Sequence, residues 1–334
     1  MSAGFTDVSV FAKALSRRAK LELRRIMVGK IVILGVFVAD TTYRANRAPR
    51  MGETILGNSF ALGPGGKGSN QAVAAARLGA DVTFLSKLGR DPFADMALKT
   101  WADAGVKPMV TQSNQSYTGA AYIFVEEETG DNAIIICPGV AATISTADID
   151  VNADLIRSAA VFMTQLEQPM DAAVRALGIA KEAGVKTILN PAPASDLPDG
   201  MLALCDYVTP NETETETLTG VAVKSVDDAR SAAEIFLSKG VGAAVITLGE
   251  HGALFHSAAQ SELVPAVNAG SVVETTGAGD AFNGGFATAL ARGDDPVGAV
   301  RTGCATAGLS VTRPGTASSM PVSGEVKALM ERIP

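Results

Sequence analysis

Between residues 148 and 247, short β-branched apolar runs alternate with amphipathic stretches, and this alternation constrains the fold more than any other feature. Strands are predicted at Ala159 to Met163, Thr187 to Leu189, Tyr207 to Val208 and Ala243 to Thr247. Helices predicted at Met170 to Ala183, Glu212 to Leu218 and Asp227 to Leu237 separate them. Strands joined by helical crossovers run parallel, and a parallel sheet is buried on both faces. The expected class is therefore α/β, a mostly parallel sheet with helices on both faces. The pattern begins earlier, with a strand at Ile31 to Phe37, a helix at Asn70 to Leu78, a strand at Val82 to Leu85 and a helix at Phe93 to Ala104. A composition of 47% hydrophobic but only 5% aromatic residues suits helices packed closely on a sheet.

Two segments, near 38–62 and 112–137, break the alternation. Gly119 to Val125 and Asn132 to Ile136 read as paired strands around the acidic turn Glu126 to Asp131. They predict a small β lid on one large domain spanning residues 27–334. Residues 1–26 stand apart as an N-terminal extension. Lys13, Arg17, Arg18, Lys20, Arg24 and Arg25 are set there against only Asp7 and Glu22, with Phe11, Leu15 and Leu21 loosely at helical spacing. Such a segment fits a transit or membrane-surface helix, a solvated or disordered stretch, or an upstream start ahead of a natural Met27.

The chemistry concentrates in Thr275-Thr276-Gly277-Ala278-Gly279-Asp280-Ala281-Phe282-Asn283-Gly284-Gly285. The β-branched pair Val272-Val273 before it and the helical pattern from Ala281 to Arg292 after it predict a strand-to-helix turn. Glycines there let consecutive N–H groups point one way, and the positive end of the helix strengthens that field for a phosphate or oxyanion. Asp280 on the rim serves as a helix cap or as a base taking a proton from an attacking hydroxyl, and the second role pairs with phosphoryl transfer.

A second cluster, Gly63-Pro64-Gly65-Gly66-Lys67-Gly68-Ser69-Asn70, lacks the strand and acidic residue of a dinucleotide fold. It also fails as a Walker A loop, since Gly68 follows Lys67 and Ala61 stands at the first glycine position. What remains is a turn, structural or ligand-approaching, ending in an amide able to bond hydroxyls. In Thr209-Pro210-Asn211-Glu212-Thr213-Glu214, Asn211 and Glu214 have capping-box spacing and could also order water around Mg²⁺ and phosphates. Gln165-Leu166-Glu167 and Thr247-Leu248-Gly249 likewise end strands with polar groups, and such ends share one crevice in a parallel sheet.

Several function classes are excluded or disfavoured. A net charge of −7 provides no basic excess for a nucleic-acid partner. No apolar stretch is long enough for a membrane span. Cys137, Cys205 and Cys304 form no metal spacing and no disulfide framework, which points to a reducing cytoplasm. His251 and His256 lack a zinc motif and leave little room for a Ser-His-Asp hydrolase.

Taken in order, these motifs resemble the PfkB carbohydrate kinases, and most of all their ribokinase branch. The resemblance runs from about Lys30 to the C-terminus. It includes Gly52-Glu53-Thr54, Gly65 to Ala72, Leu189-Asn190-Pro191-Ala192-Pro193-Ala194, Thr209 to Glu214, the Asp280 turn and Val311-Thr312-Arg313-Pro314-Gly315. It implies a ribokinase-like fold with a β lid that pairs subunits into a homodimer. It also implies an ATP-dependent enzyme using Mg²⁺ and K⁺ or another monovalent cation to phosphorylate a primary hydroxyl, such as O5 of D-ribose. Deoxyribose, another sugar or a nucleoside are the alternatives within the family, and a catalytically silent sugar-binding or regulatory protein is the alternative outside it. By resemblance Asp280 is the base, and Gly277, Ala278 and Gly279 form the anion hole. Asp40, Gly66, Lys67, Gly68, Ser69, Asn70 and Glu167 match sugar-binding positions. Asn211 and Thr247, Leu248, Gly249, Glu250, His251 and Gly252 match nucleotide-binding positions, with Glu214 tied to the Mg²⁺–phosphate network. Glu274, Thr276, Ser310, Arg313, Gly315 and Ser319 align with the monovalent-cation site. The chain departs from the family pattern at Val38, where an Asn is frequent, at Glu274, usually Asp, and at Cys304, near adenine and commonly an amide.

Overall fold

The structure, a computed structural model, describes residues 29–332; the N-terminal extension lies outside the described residues. Strands β1 (Ile31–Leu34), β2 (Val38–Ala45) and β3 (Ser59–Gly65) lead into helix α1 (Lys67–Arg77). Then follow β4 (Val82–Leu88), α2 (Pro92–Ala104), β5 (Lys107–Gln112), β6 (Thr118–Glu126) and β7 (Asn132–Gly139). The regular part continues through α3 (Thr146–Val151), α4 (Ala153–Arg157), β8 (Val161–Thr164), α5 (Met170–Glu182), β9 (Lys186–Leu189), β10 (Tyr207–Val208), α6 (Glu212–Thr219), α7 (Val226–Ser238) and β11 (Ala243–Thr247). The hairpin β12 (Ala253–Ser257) and β13 (Ser261–Val264) precedes α8 (Ala278–Arg292), α9 (Pro296–Ser310) and α10 (Ser323–Met330).

The large sheet runs β13-β12-β11-β10-β9-β8-β1-β4-β5. From β11 to β5 every pairing is parallel, and only the β12 and β13 edge is antiparallel. The predicted α/β class is the observed one. Alternate residues of β1 feed two separate cores. Ile31 and Ile33 pack with α1, α2, α8 and α9, whereas Val32 and Leu34 pack with α5 and α7. The two-residue period of a strand thus builds a helix layer on each face.

A second, four-stranded sheet has the order β3-β2-β6-β7. Its strands leave the large domain beside β1 and return at Gly65–Lys67, which sets this sheet against the C-terminal ends of the parallel strands. Three local expectations are corrected. The first strand ends at Leu34, not Phe37, and α1 begins at Lys67, not Asn70. Val272-Val273 forms no strand; both are well exposed and residues 265–277 carry no strand or helix. The β-branched pair has no neighbouring edge to pair with, so strand propensity alone decides nothing there.

Candidate active site

Gly277 creates the anion-directed turn. Its φ of 82° is left-handed, and a Cβ there would also sit 3.3 Å from Thr316 Cα. The Ala278 N–H donates to Thr275 O at 3.1 Å, and the Ala281 N–H starts the helical ladder on Gly277 O at 2.9 Å. Among the described residues no acceptor engages the N–H groups of Gly277, Gly279 or Asp280. The open donors are therefore Gly277, Gly279 and Asp280, and Ala278 is not among them. They lie at the positive end of α8, a 15-residue helix.

Asp280, in the first turn of α8, is buried. Its Oδ2 accepts from Asn70 Nδ2 at 3.0 Å and its Oδ1 from Gln71 Nε2 at 3.1 Å. Burial raises its pKa, opposed first by the Lys67 charge and then by these two amides. Asn70 is delivered by α1, whose entry is set by Gly66 at φ 88°, where a Cβ would meet Val36 O at 2.5 Å. The other amide oxygen of the pair, Asn70 Oδ1, is buried without a partner, so a polar ligand group would relieve a real desolvation cost.

Two more carboxylates face this one. Glu167, just past β8, accepts from the Lys67 N–H at 2.8 Å and so caps α1. Burial pushes it up to about 7, against the pull of Lys67 and with added repulsion from Asp280 and Asp40. Asp40 on β2 rises to about 6, first through burial and then through Asp280. No hydrogen bond among the described residues engages the Asp40 carboxylate, and the absent side chain of Gly65 makes room for it. Asp40, Lys67, Asn70, Glu167 and Asp280 therefore converge. Gly68 lies in the same first turn of α1, packed against Gly35. Ser69 accepts from Trp101 Nε1 at 2.9 Å and is fully buried, so its hydroxyl serves packing as seen here.

The neighbouring strand ends supply a second group. Asn211 caps α6: its Oδ1 accepts from the Glu214 N–H at 2.8 Å, and Glu214 Oε2 accepts from the Asn211 N–H at 2.9 Å. Glu214 is raised by burial, and it feels both Lys67 and Asp280. Thr247 N–H donates to Pro210 O at 2.9 Å, tying the end of β11 to the Asn211 turn. Leu248, Gly249, Glu250, His251 and Gly252 form a tight turn closed by the Leu248 N–H on Gly252 O at 2.8 Å. Among the described residues no three His, Cys, Asp or Glu side chains form a metal cage. The carboxylates suit a Mg²⁺ ion carried largely by phosphates, which needs only one or two protein oxygens.

Of the six cation-loop residues, Glu274 and Gly315 meet directly, the Gly315 N–H donating to Glu274 Oε2 at 2.8 Å. Thr276 precedes the turn, and Thr316 packs under Gly277. The side chains of Ser310, Arg313 and Ser319 turn elsewhere: Ser310 donates to Ala307 O, Ser319 to Thr316 O, and Arg313 pairs with Glu325. The Arg313 guanidinium cannot serve an ion, whereas backbone carbonyls and the lone pairs of the two serine hydroxyls can. Oxygen donors of this kind fit a hard monovalent cation.

Gln71, Asn190, Thr209 and Asn283 lie within the sequence motifs, whose spacing gives them no role. They form one buried chain: Gln71 Nε2 to Asn190 Oδ1 at 3.0 Å, Asn190 Nδ2 to Thr209 O at 3.0 Å, Thr209 Oγ1 to Asn283 Oδ1 at 2.7 Å, and Asn283 Nδ2 to Gly279 O at 2.9 Å.

Known proteins are similar to this chain in sequence and in fold. The family model described as pfkB family carbohydrate kinase matches residues 29–323. A ribokinase of Haemophilus influenzae is 38% identical over 302 residues, covering 90% of this chain and 98% of that protein. A deoxyribokinase of Salmonella typhi is 37% identical over 293 residues, 87% of this chain and 95% of that one. The structure of Arabidopsis thaliana ribokinase complexed with ribose and ATP matches with a TM-score of 0.86 at 29% identity, over 92% of this chain and 100% of that chain. This chain belongs to the pfkB family of carbohydrate kinases.

Proposed function

We propose that this kinase transfers the γ-phosphate of ATP to O5 of D-ribose, giving D-ribose 5-phosphate. The observation that carries the reading is Asp280: a buried carboxylate, both oxygens held by amides, beside open N–H donors at a helix N-terminus. Asp280 takes the proton of the sugar's primary hydroxyl as that oxygen attacks the γ-phosphorus in line, and the bond to the ADP oxygen breaks. The N–H groups of Gly277, Gly279 and Asp280 receive the charge of the transferring group. Asp40, Asn70, Glu167 and the backbone from Gly66 to Ser69 hold the sugar, and Lys67 offsets the carboxylate charge around it. Asn211, Glu214 and Thr247 to Gly252 bind the nucleotide. Glu214 would take part in holding Mg²⁺ bound with ATP, which would supply charge neutralisation for the phosphates. Glu274, Thr276, Ser310, Arg313, Gly315 and Ser319 would supply the oxygens for a monovalent cation such as K⁺, whose charge would stiffen the turn under the anion hole.

The pfkB membership and the ribose and ATP bound by the Arabidopsis protein support this substrate pair. Deoxyribose is the second reading, favoured by Val38 and by deoxyribokinase relatives. Val38 is buried within an apolar cluster with Val36 and Ala121 on the strand that bears Asp40, so it offers a sugar hydroxyl no partner. The four-stranded sheet acts as the lid and as the contact between two subunits. Tyr43, Phe60, Leu62, Tyr122, Ile134 and Ile136 leave apolar surface exposed on its strands, more than a solitary sheet keeps in water. Three unpaired cysteines are in keeping with a cytoplasmic enzyme, and no helix among the described residues is long and apolar enough to cross a membrane. ADP release measured against a panel of pentoses, deoxypentoses, hexoses and nucleosides tests the assignment. Ribose should give the highest kcat/KM; a preference for a hexose or nucleoside, with ribose inert, refutes it.

A further inference from the structure

Gln71 is fully buried one residue after Asn70, yet it has no route to solvent and no place among the sugar-binding groups. All of its polar atoms are committed. Nε2 donates to Asp280 Oδ1 at 3.1 Å and to Asn190 Oδ1 at 3.0 Å, while Oε1 accepts from Gln165 Nε2 at 2.5 Å. The direction of this amide is therefore dictated. Turned around, it would set its oxygen against the Asp280 carboxylate, against Asn190 Oδ1 and lose the Gln165 donor.

We infer that Gln71 is the positioning residue for the base: its amide, held one way round by Gln165, fixes Asp280 in a single orientation. The inference rests on the proposed role of Asp280. Asn70 makes the other contact to the base but keeps its amide oxygen for a ligand, whereas Gln71 touches only protein. The same amide begins the chain through Asn190, Thr209 and Asn283 to Gly279 O, which joins the base to the backbone of the anion turn. Base and anion hole are thus aligned by one hydrogen-bonded unit, and loosening it misaligns both. A donor on the charged oxygen also favours the ionised form. The groups that share this field are Lys67 on α1, Asp40 on β2, Glu167 after β8 and Glu214 on α6.

Gln71→Met keeps the length of the side chain and removes the donor. The expected result is a kcat lower by about 10- to 100-fold, the worth of one hydrogen bond to a charged group. KM for sugar and for ATP should stay within about three-fold, since Gln71 meets neither. The acidic limb of the kcat–pH profile should move to higher pH, which a purely structural role would not cause. Gln165→Met frees the amide without deleting it, and should lower kcat by about 3- to 10-fold with the same direction of the limb; it decides the matter if Gln71→Met does not fold by circular dichroism. A folded variant with kcat within two-fold of wild type and an unmoved acidic limb overturns the inference. Asp280→Asn run alongside separates the two levels: an active Asp280→Asn protein removes the base itself, whereas an inactive one beside a normal Gln71→Met removes only the positioning role.

Discussion

Asp40 should be costly to the fold and necessary to the sugar, and Asp40→Asn separates these effects. In the native chain burial and Asp280 push the Asp40 carboxyl from 3.8 up to about 6. Between those values the native protein holds a proton that the unfolded chain has already released. Stability from this group is therefore complete below about pH 4 and lost as pH rises through about 6. At 1.36 kcal/mol per pH unit the loss is about 3 kcal/mol, of which part belongs jointly to Asp280. Asn mimics the protonated acid, so the variant's advantage over wild type should be larger by about 2 kcal/mol at pH 8 than at pH 4.5. With an unfolding entropy of about 2.1 cal/mol/K per residue over some 300 residues, that is an extra Tm gain of roughly 3 °C. Thermal unfolding of ligand-free protein at both pH values measures it. At pH 8 the same variant should show a sugar KM raised about 10- to 100-fold, the value of a hydrogen bond to a charged acceptor. A Tm gain equal at the two pH values, or none at pH 8, would refute the electrostatic account.

Three further outcomes are expected. Asp280→Asn should lower kcat by about 10²–10⁴ while sugar and ATP binding stay within a few-fold, as followed by calorimetry and steady-state kinetics; near-normal turnover would remove the base. Potassium should raise kcat or nucleotide affinity over a bulky organic cation at matched ionic strength, and the Glu274 contact to Gly315 makes the gain modest because the two loops are already tied; equal rates in both salts count against the cation site. Val38→Asn should raise kcat/KM for ribose relative to 2-deoxyribose, since an apolar wall discriminates weakly and a hydrogen-bonding one strongly; an unchanged ratio would take Val38 out of substrate choice.

The parallel strands were legible because strands buried on both faces become short unbroken apolar runs, as in Val161-Phe162-Met163 and Ala244-Val245-Ile246. Motif spacing carried Asp280, Asn70 and the Asn211–Glu214 cap, since each sits at a strand or helix end where backbone direction is set locally. Other parts were not legible in this way. Helix α9 is an Ala-, Gly- and Thr-rich segment buried around most of its circumference, so it shows little amphipathic period. The β12–β13 hairpin depends on β11 as the edge it extends.

Gln71 illustrates a different kind of limit. Its role needs Asp280, Asn190 and Gln165, which are 209, 119 and 94 residues away in sequence. One local signal was nevertheless present. Ser69-Asn70-Gln71 is a run of three polar residues immediately before Ala72-Val73-Ala74-Ala75-Ala76. Three consecutive residues span about 200° of a helix at 3.6 residues per turn, so they cannot share one narrow solvent face. A helix whose next residues are nearly all small and apolar is a buried one, and its polar residues must then find partners inside the protein. Each does so here: Ser69 with Trp101, Asn70 with Asp280, and Gln71 with three groups at once. The sequence therefore announces that α1 opens onto a polar interior, and the fold determines that this interior is where the base stands.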